Sequence, residues 1–290
     1  MNSLREIIRQ AIDLHFHIGP EIIPRKYDIK QLIDAEKGNI GGFVLKNHFY
    51  STSKLIKNIG NSKGLNLYGS ITLNNYVGGL NDEAIALTAQ SVDNPIIVWF
   101  PTINAKNFLT KSEFEIAPEW VNNKNFIPKK SCNVDPVELN ENKVVNALKV
   151  IKKYNAVLAT GHISWQESVD LVEKAVKNNI SRIIITHPIY QQIDMPIKIQ
   201  KKLAGKGCFI EHCYSMYSID KISIQKIAGQ IKEVGCKSVV ISSDMGQLFS
   251  PKPSIALLDF TNRLRNEGIE EDELFTMLVK NPKKLMETKK

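Results

Sequence analysis

Residues Gly161–Pro188 read GHISWQESVDLVEKAVKNNISRIIITHP. Gln166–Asn178 has a helical pattern: Val169, Val172, Ala175 and Val176 share one face, and Glu173, Lys174 and Lys177 point away. Asn178-Asn179 supplies a helix stop. Arg182–Thr186 then follows as a continuous apolar, β-branched run, the pattern of a parallel strand buried on both faces. Ala156–Gly161, just ahead of the helix, is another such run. The stretch therefore reads strand, helix, strand, and a histidine, His162 or His187, follows each strand directly.

The same unit repeats in both directions. Strands are predicted at Ala11–His15, Gly42–Lys46, Leu67–Thr72, Ile96–Phe100, Ala156–Gly161, Arg182–Thr186, Cys208–Glu211 and Ser238–Ser243. Their starts recur about every 25–30 residues, the length of a βα unit, except for one doubled interval after Phe100. The expected fold is α/β: a (β/α)8 TIM barrel forming one domain over residues 1–290. It has an insertion after strand four, about residues 101–141, and C-terminal helices at Ser254–Asn266 and Glu270–Lys280. The insertion is rich in Asn, Lys and Pro and carries Trp120 and Phe126. In a barrel it emerges on the C-terminal face, where a lid or subunit contact competes with a plain surface loop as its role.

Bulk properties narrow the classes. The 290 residues are 43% hydrophobic and 23% charged, an ordinary globular balance. The net charge of +8 comes from lysines scattered over helices and loops, and no basic motif with interleaved aromatics accompanies it. A nucleic-acid partner is therefore not expected. The four cysteines, Cys132, Cys208, Cys213 and Cys236, form no CxxC pair, so neither a disulfide framework nor a zinc ribbon is expected. Met1–Gln10 lacks the apolar run of a secretory signal, and no segment approaches membrane-spanning length. The expected setting is cytoplasmic, with a small-molecule substrate, no membrane, and a homo-oligomer as an option. Walker-A, GxGxxG and nucleophile-elbow motifs are absent.

Histidine carries the chemistry. The chain has six, His15, His17, His48, His162, His187 and His212, and all lie at or just past the C-terminal end of a predicted strand. In a parallel barrel those ends converge on one mouth. Any one of them alone reads better as a satisfied core or loop residue; the set reads as a site. In Asp13-Leu14-His15-Phe16-His17 the two imidazoles are two residues apart and so point to one side of a strand, which is half of a zinc-type site. Asp244, in Ser242-Ser243-Asp244-Met245-Gly246, ends the last strand. Elsewhere it would pass for a helix cap, but beside four histidines it reads as ligand and base. Lys46 and His48, after strand two, are candidates for substrate binding, and Lys46 also for bridging two metals if carboxylated. Glu211-His212 closes strand seven: Glu211 is expected to orient a ligand histidine and His212 to touch substrate. Arg25 and Tyr50 lie in loops within reach of substrate.

As an ordered set these residues resemble the amidohydrolase superfamily. That family places His-x-His on strand one, one histidine each on strands five and six, and an aspartate on strand eight. The matching residues here are His15 and His17, His162, His187 and Asp244. Gly161–Pro188 looks like the family's strand-five to strand-six unit, and Asn281-Pro282 with Leu285 is similar to its closing turn. The resemblance implies a metal-dependent hydrolase of a small, anionic or neutral substrate with an amide, cyclic amide, ester or lactone bond. His15, His17, His162, His187 and Asp244 would hold a divalent metal, Zn2+ foremost, which activates water. Asp244 and His187 would be catalytic. The strand-four end, Trp99-Phe100-Pro101-Thr102, lacks the bridging lysine or glutamate of binuclear members, so one ion is expected rather than two. Two alternatives stand beside this reading. A PHP-type phosphoesterase also opens on His-x-His but ends on Asp-x-His, unlike Asp244-Met245-Gly246. A non-catalytic metal- or ligand-binding barrel would not need Asp244.

Overall fold

In this computed structural model the described residues are 2–59, 62, 64–111 and 136–287. Most of the insertion, including Trp120 and Phe126, lies outside them, as do Cys132 and the tail from residue 288. Among the described residues no helix is long and apolar enough to cross a membrane.

All eight predicted strands are present. They are β1 (Ile12–His17), β2 (Gly42–Lys46), β3 (Asn66–Tyr68), β4 (Ser70–Thr72), β5 (Ile97–Trp99), β6 (Val157–Ala159), β7 (Ile183–Ile185), β8 (Phe209–Cys213) and β9 (Val239–Ser242). The ninth label arises because the third position of the barrel is broken at Gly69. Its lower half, β3, pairs with β2, and its upper half, β4, pairs with β5. Every pairing is parallel, in the order β1-β2-β3 and β4 through β9. Above the break, side chains replace the missing ladder: Ser70 Oγ and Thr52 Oγ1 donate to Leu45 O at 2.5 and 2.7 Å, and Thr72 Oγ1 donates to Asn47 O at 2.8 Å. Buried carbonyls are thereby satisfied without a strand partner.

The barrel closes between β1 and the segment after β9. Asp244 N donates to His15 O and His17 N to Met245 O, both at 2.8 Å, and Phe16 forms a parallel bridge with Met245. Asp13 reinforces this seam by accepting Ser243 N at 2.9 Å and the Ser243 hydroxyl.

The interior is filled by Ile12, Leu14, Val44, Ile97, Trp99, Val157, Ala159, Ile184, Phe209 and Val240. Leu285 and Met286, on the C-terminal helix Asn281–Met286, belong to the same cluster. Asn281 anchors that helix by donating to Cys236 O and Val239 O at 2.9 and 2.6 Å. Outward-facing strand residues such as Phe43, Val98, Leu158, Ile185 and Ile241 join the larger core beneath the helices.

The helices keep their predicted places, with one change of face. Trp165–Lys177 starts from a Ser164–Glu167 capping box and buries Ser168, Leu171, Val172 and Ala175, while Val176 is 39% exposed. The apolar stripe is narrower than its valines suggest, because Leu171 and the small Ser168 complete it on the side away from Val176. Ser254–Asn266 is observed as Pro253–Asn266. The segment predicted at Glu270–Lys280 is α-helical over Glu271–Phe275 and a π turn over Thr276–Lys280, and it runs on into Asn281–Met286.

Leu285→Ala empties part of the barrel floor, and is expected to lower unfolding stability by about 2–5 kcal/mol. Leu87→Ala, on a side chain 66% exposed, should change it by no more than about 0.5 kcal/mol. Urea titration of both variants measures the difference.

Candidate metal centre

A β-bulge aims the first histidine pair. Asp13 pairs with Phe43, but Phe16 pairs with Leu45, so β1 spends three residues where β2 spends two. Strict alternation would turn His15 away from the side occupied by Ile12 and Leu14. The extra residue resets the parity: Ile12 and Leu14 fill the barrel, His15 and His17 face the mouth, and Phe16 packs outward against Phe43 at 5.1 Å between ring centroids.

Three donors then converge. Asp244 Oδ1 lies 3.1 Å from His15 Nε2 and 3.0 Å from His17 Nε2. Donors about 2.0–2.1 Å from a tetrahedral zinc stand a little over 3 Å apart, and three protein donors with one open position is the pattern of a catalytic zinc site. These donors therefore fit a divalent ion. His15, His17 and Asp244 form a group able to hold a metal.

The His15 tautomer suits that role. His15 Nδ1 lies 3.2 Å from the buried Glu211 carboxylate and donates to it, which leaves the Nε2 lone pair facing the mouth. Lys46 Nζ, 2.8 Å away, donates to that lone pair. It also lies 5.0 Å from the centroid of Trp99, the apolar floor of the site. Burial lowers the Lys46 amine to about 8, against the pull of Asp244 and Glu211. Burial likewise holds the imidazoles neutral: His187 is lowered to about 4, and His17, His48 and His162 fall well below the ordinary histidine value. Burial alone would raise the Asp244 carboxyl, but the His15 and His17 imidazoles hold it well below its usual range.

Asp244 is fixed from every side. Its backbone is left-handed at φ 51, its amide donates to His15 O, and Ser215 Oγ donates to its Oδ2 at 2.7 Å. His187 also has positive φ, at 21. Non-glycine residues held in this region cluster at functional sites. Gly246 keeps the β9 segment close to β1, since a Cβ there would stand 2.2 Å from His17 O.

The remaining predicted residues arrange themselves around this core. His187 stacks on His15 with centroids 5.7 Å apart, and His162 lies 5.1 Å from His187. These two histidines flank the three-donor group without entering it, and the Nδ1 of each is buried without a partner among the described residues. His48 lies 4.7 Å from His17, and its Nδ1 is 2.9 Å from Thr102 Oγ1. Tyr50 gives its hydroxyl to Pro20 O at 2.6 Å. His212 is not brought to the cluster: Glu211 faces His15, so strand alternation turns His212 to the opposite side. There its ring is fully buried, and neither nitrogen has a hydrogen-bond partner among the described residues.

Several participants escaped sequence reasoning. Ser215 stands two residues past β8, where the strand-end rule that selected the histidines would have found it. Asn74 fixes Thr102 by accepting its amide at 2.9 Å and donating to its hydroxyl at 2.9 Å. Tyr190 and Phe108 wall His162 at 5.7 and 5.2 Å. Phe108 belongs to the described start of the insertion, and Asn107 beside it donates to His162 O.

A model of a family of unknown function (DUF6282) matches residues 10–211. No curated protein matches the sequence. Among solved structures, an amidohydrolase from Pseudomonas aeruginosa is similar at 9% identity, with a TM-score of 0.61 and 98% of each chain covered. A lactonase from Listeria monocytogenes is similar at 13% identity and TM-score 0.62, covering 98% of this chain and 97% of that one. A phosphotriesterase homology protein from Escherichia coli, with phosphate in its active site, is similar at 12% and 0.60, covering 96% and 98%. At these identities the likeness is one of fold.

Glu211→Gln removes the charge behind His15 and is expected to weaken zinc affinity about 10–100-fold. Competition against a chromophoric chelator reads this directly; an unchanged affinity would separate Glu211 from the metal.

Proposed function

This chain belongs to the family of unknown function DUF6282 and has an amidohydrolase-superfamily fold, and from that premise we propose that it is a metal-dependent hydrolase. The bond cleaved is an amide, cyclic amide, ester or lactone of a small molecule. The observation that carries this reading is that Asp244 Oδ1 lies 3.1 Å from His15 Nε2 and 3.0 Å from His17 Nε2, in a group whose ligand atoms all lie within 4.8 Å of one another. The solved structures named as an amidohydrolase and a lactonase support the bond class.

His15, His17 and Asp244 would hold the ion, with His162 and His187 beside it; imidazole and carboxylate donors suit zinc. Such an ion, when bound, lowers the pKa of water toward neutrality and polarises a carbonyl. Asp244 is the base. Its Oδ2 is held by the Ser215 hydroxyl, so the carboxylate keeps one orientation while it accepts the water's proton and passes it to the leaving group. His187, neutral through burial, is a hydrogen-bond donor to the oxygen on which charge develops. Trp99 beneath and Phe108 beside the cluster limit water.

The test is a panel of lactones, esters, cyclic amides and N-acyl amino acids, run on zinc-loaded and chelator-treated protein. Hydrolysis of at least one class should require the metal, and Asp244→Asn should lower kcat about 10²–10⁴-fold. A protein that takes up no divalent ion under metal-replete conditions contradicts the proposal.

A further inference from the structure

Arg25 and Glu21 take no part in the steps above, yet both are buried in the loop that follows β1. Their side chains are 4% and 0% exposed and meet at 2.8 Å, Nη2 to Oε1. An ion pair withdrawn from water is tolerated when its remaining donors and acceptors are also met. Here each partner keeps an orphan: Arg25 Nε and Glu21 Oε2 are buried without a hydrogen-bond partner among the described residues.

The loop is fastened over the site. Gly19 N donates to Tyr27 O at 2.9 Å, Lys26 N donates to Gly246 O at 2.8 Å, and Arg25 bridges Gln247 in antiparallel fashion. Gly246 packs directly on His17, so the backbone that carries Arg25 adjoins the metal-binding histidine. Lys46, the other buried cation of the mouth, is already engaged with His15 Nε2 at 2.8 Å.

We propose that Arg25 is the anion-binding residue of this site, and that the substrate carries an oxyanion, a carboxylate or a phosphate, which docks on its guanidinium, taking up the unpaired Nε–H, away from the bond that is cleaved. A guanidinium pairs with either group through its fork of N–H donors. Glu21 holds the fork in place and competes with the oxyanion for it. The inference rests on the hydrolase reading for what the bound molecule undergoes, but not for its binding.

Calorimetric titration of the full chain with inorganic phosphate and with succinate, metal-loaded and metal-free, tests it. Wild-type protein should bind at least one of the two in both metal states, and the preference identifies the oxyanion. Arg25→Gln should weaken that binding at least about tenfold with unchanged metal content, the loss expected when a charge-assisted hydrogen bond disappears. Glu21→Gln, which frees the guanidinium, should tighten it, and this variant decides the matter should Arg25→Gln fail to fold. The proposal is overturned if wild type binds neither anion, if both variants bind as wild type does, or if binding disappears with the metal. Because no turnover is read, failure of the hydrolase reading leaves this result standing. An active hydrolase whose anion affinity ignores Arg25 overturns the inference alone.

Discussion

The seam between β1 and the segment after β9 is the constraint on which both fold and site depend. Asp244 N to His15 O and His17 N to Met245 O close the barrel. The same two hydrogen bonds fix the backbone of all three converging donors. Closing a parallel sheet abolishes its edges, and here it also brings an aspartate from the end of the chain's last strand against two histidines from its first. Asp13 ties the seam from below, where burial pushes its carboxyl up to about 7 while hydrogen bonds from Ser243 and His15 oppose the shift.

The mouth gathers charged groups that burial would ordinarily forbid, and it manages them by pairing. Glu211 accepts from His15 Nδ1, Asp244 Oδ1 stands 3.0 Å from His17 Nε2 and accepts the Ser215 hydroxyl on its other oxygen, and Glu21 pairs with Arg25. Lys46 rests on Trp99 and on the lone pair of His15. That contact gives His15 Nε2 two suitors, the lysine and a metal ion, for a single lone pair. The ammonium keeps the lone pair oriented toward the mouth, and a bound ion must displace it.

Much of this was legible in the sequence, because its signals are local. Continuous β-branched runs at βα spacing gave all eight barrel positions, with ends shifted by a residue or two. The sorting of histidines to strand ends marked the mouth through five of the six, while His212, inside β8, turns away from it. What stayed hidden depends on partners far along the chain. The bulge between Asp13 and Phe16 is set by pairing with β2 and reverses the parity that simple alternation assigns to His15. At the break Gly69 leaves room for Ser53, since a Cβ there would stand 2.3 Å from Ser53 Oγ. Which of Glu211 and His212 faces inward depends on the parity of β8, which the sequence leaves open because both positions are equally buried. Ser215 and Thr102 matter only through the side chains they meet.

On the proposed reading, one lone pair each from His15 and His17 and one oxygen of Asp244 share a divalent ion. Anomalous diffraction from zinc-soaked crystals tests this most directly. A peak is expected between His15 Nε2, His17 Nε2 and Asp244 Oδ1, with Lys46 Nζ withdrawn from His15. A fully soaked crystal with no peak there, or with zinc held only by His162 and His187, would contradict it.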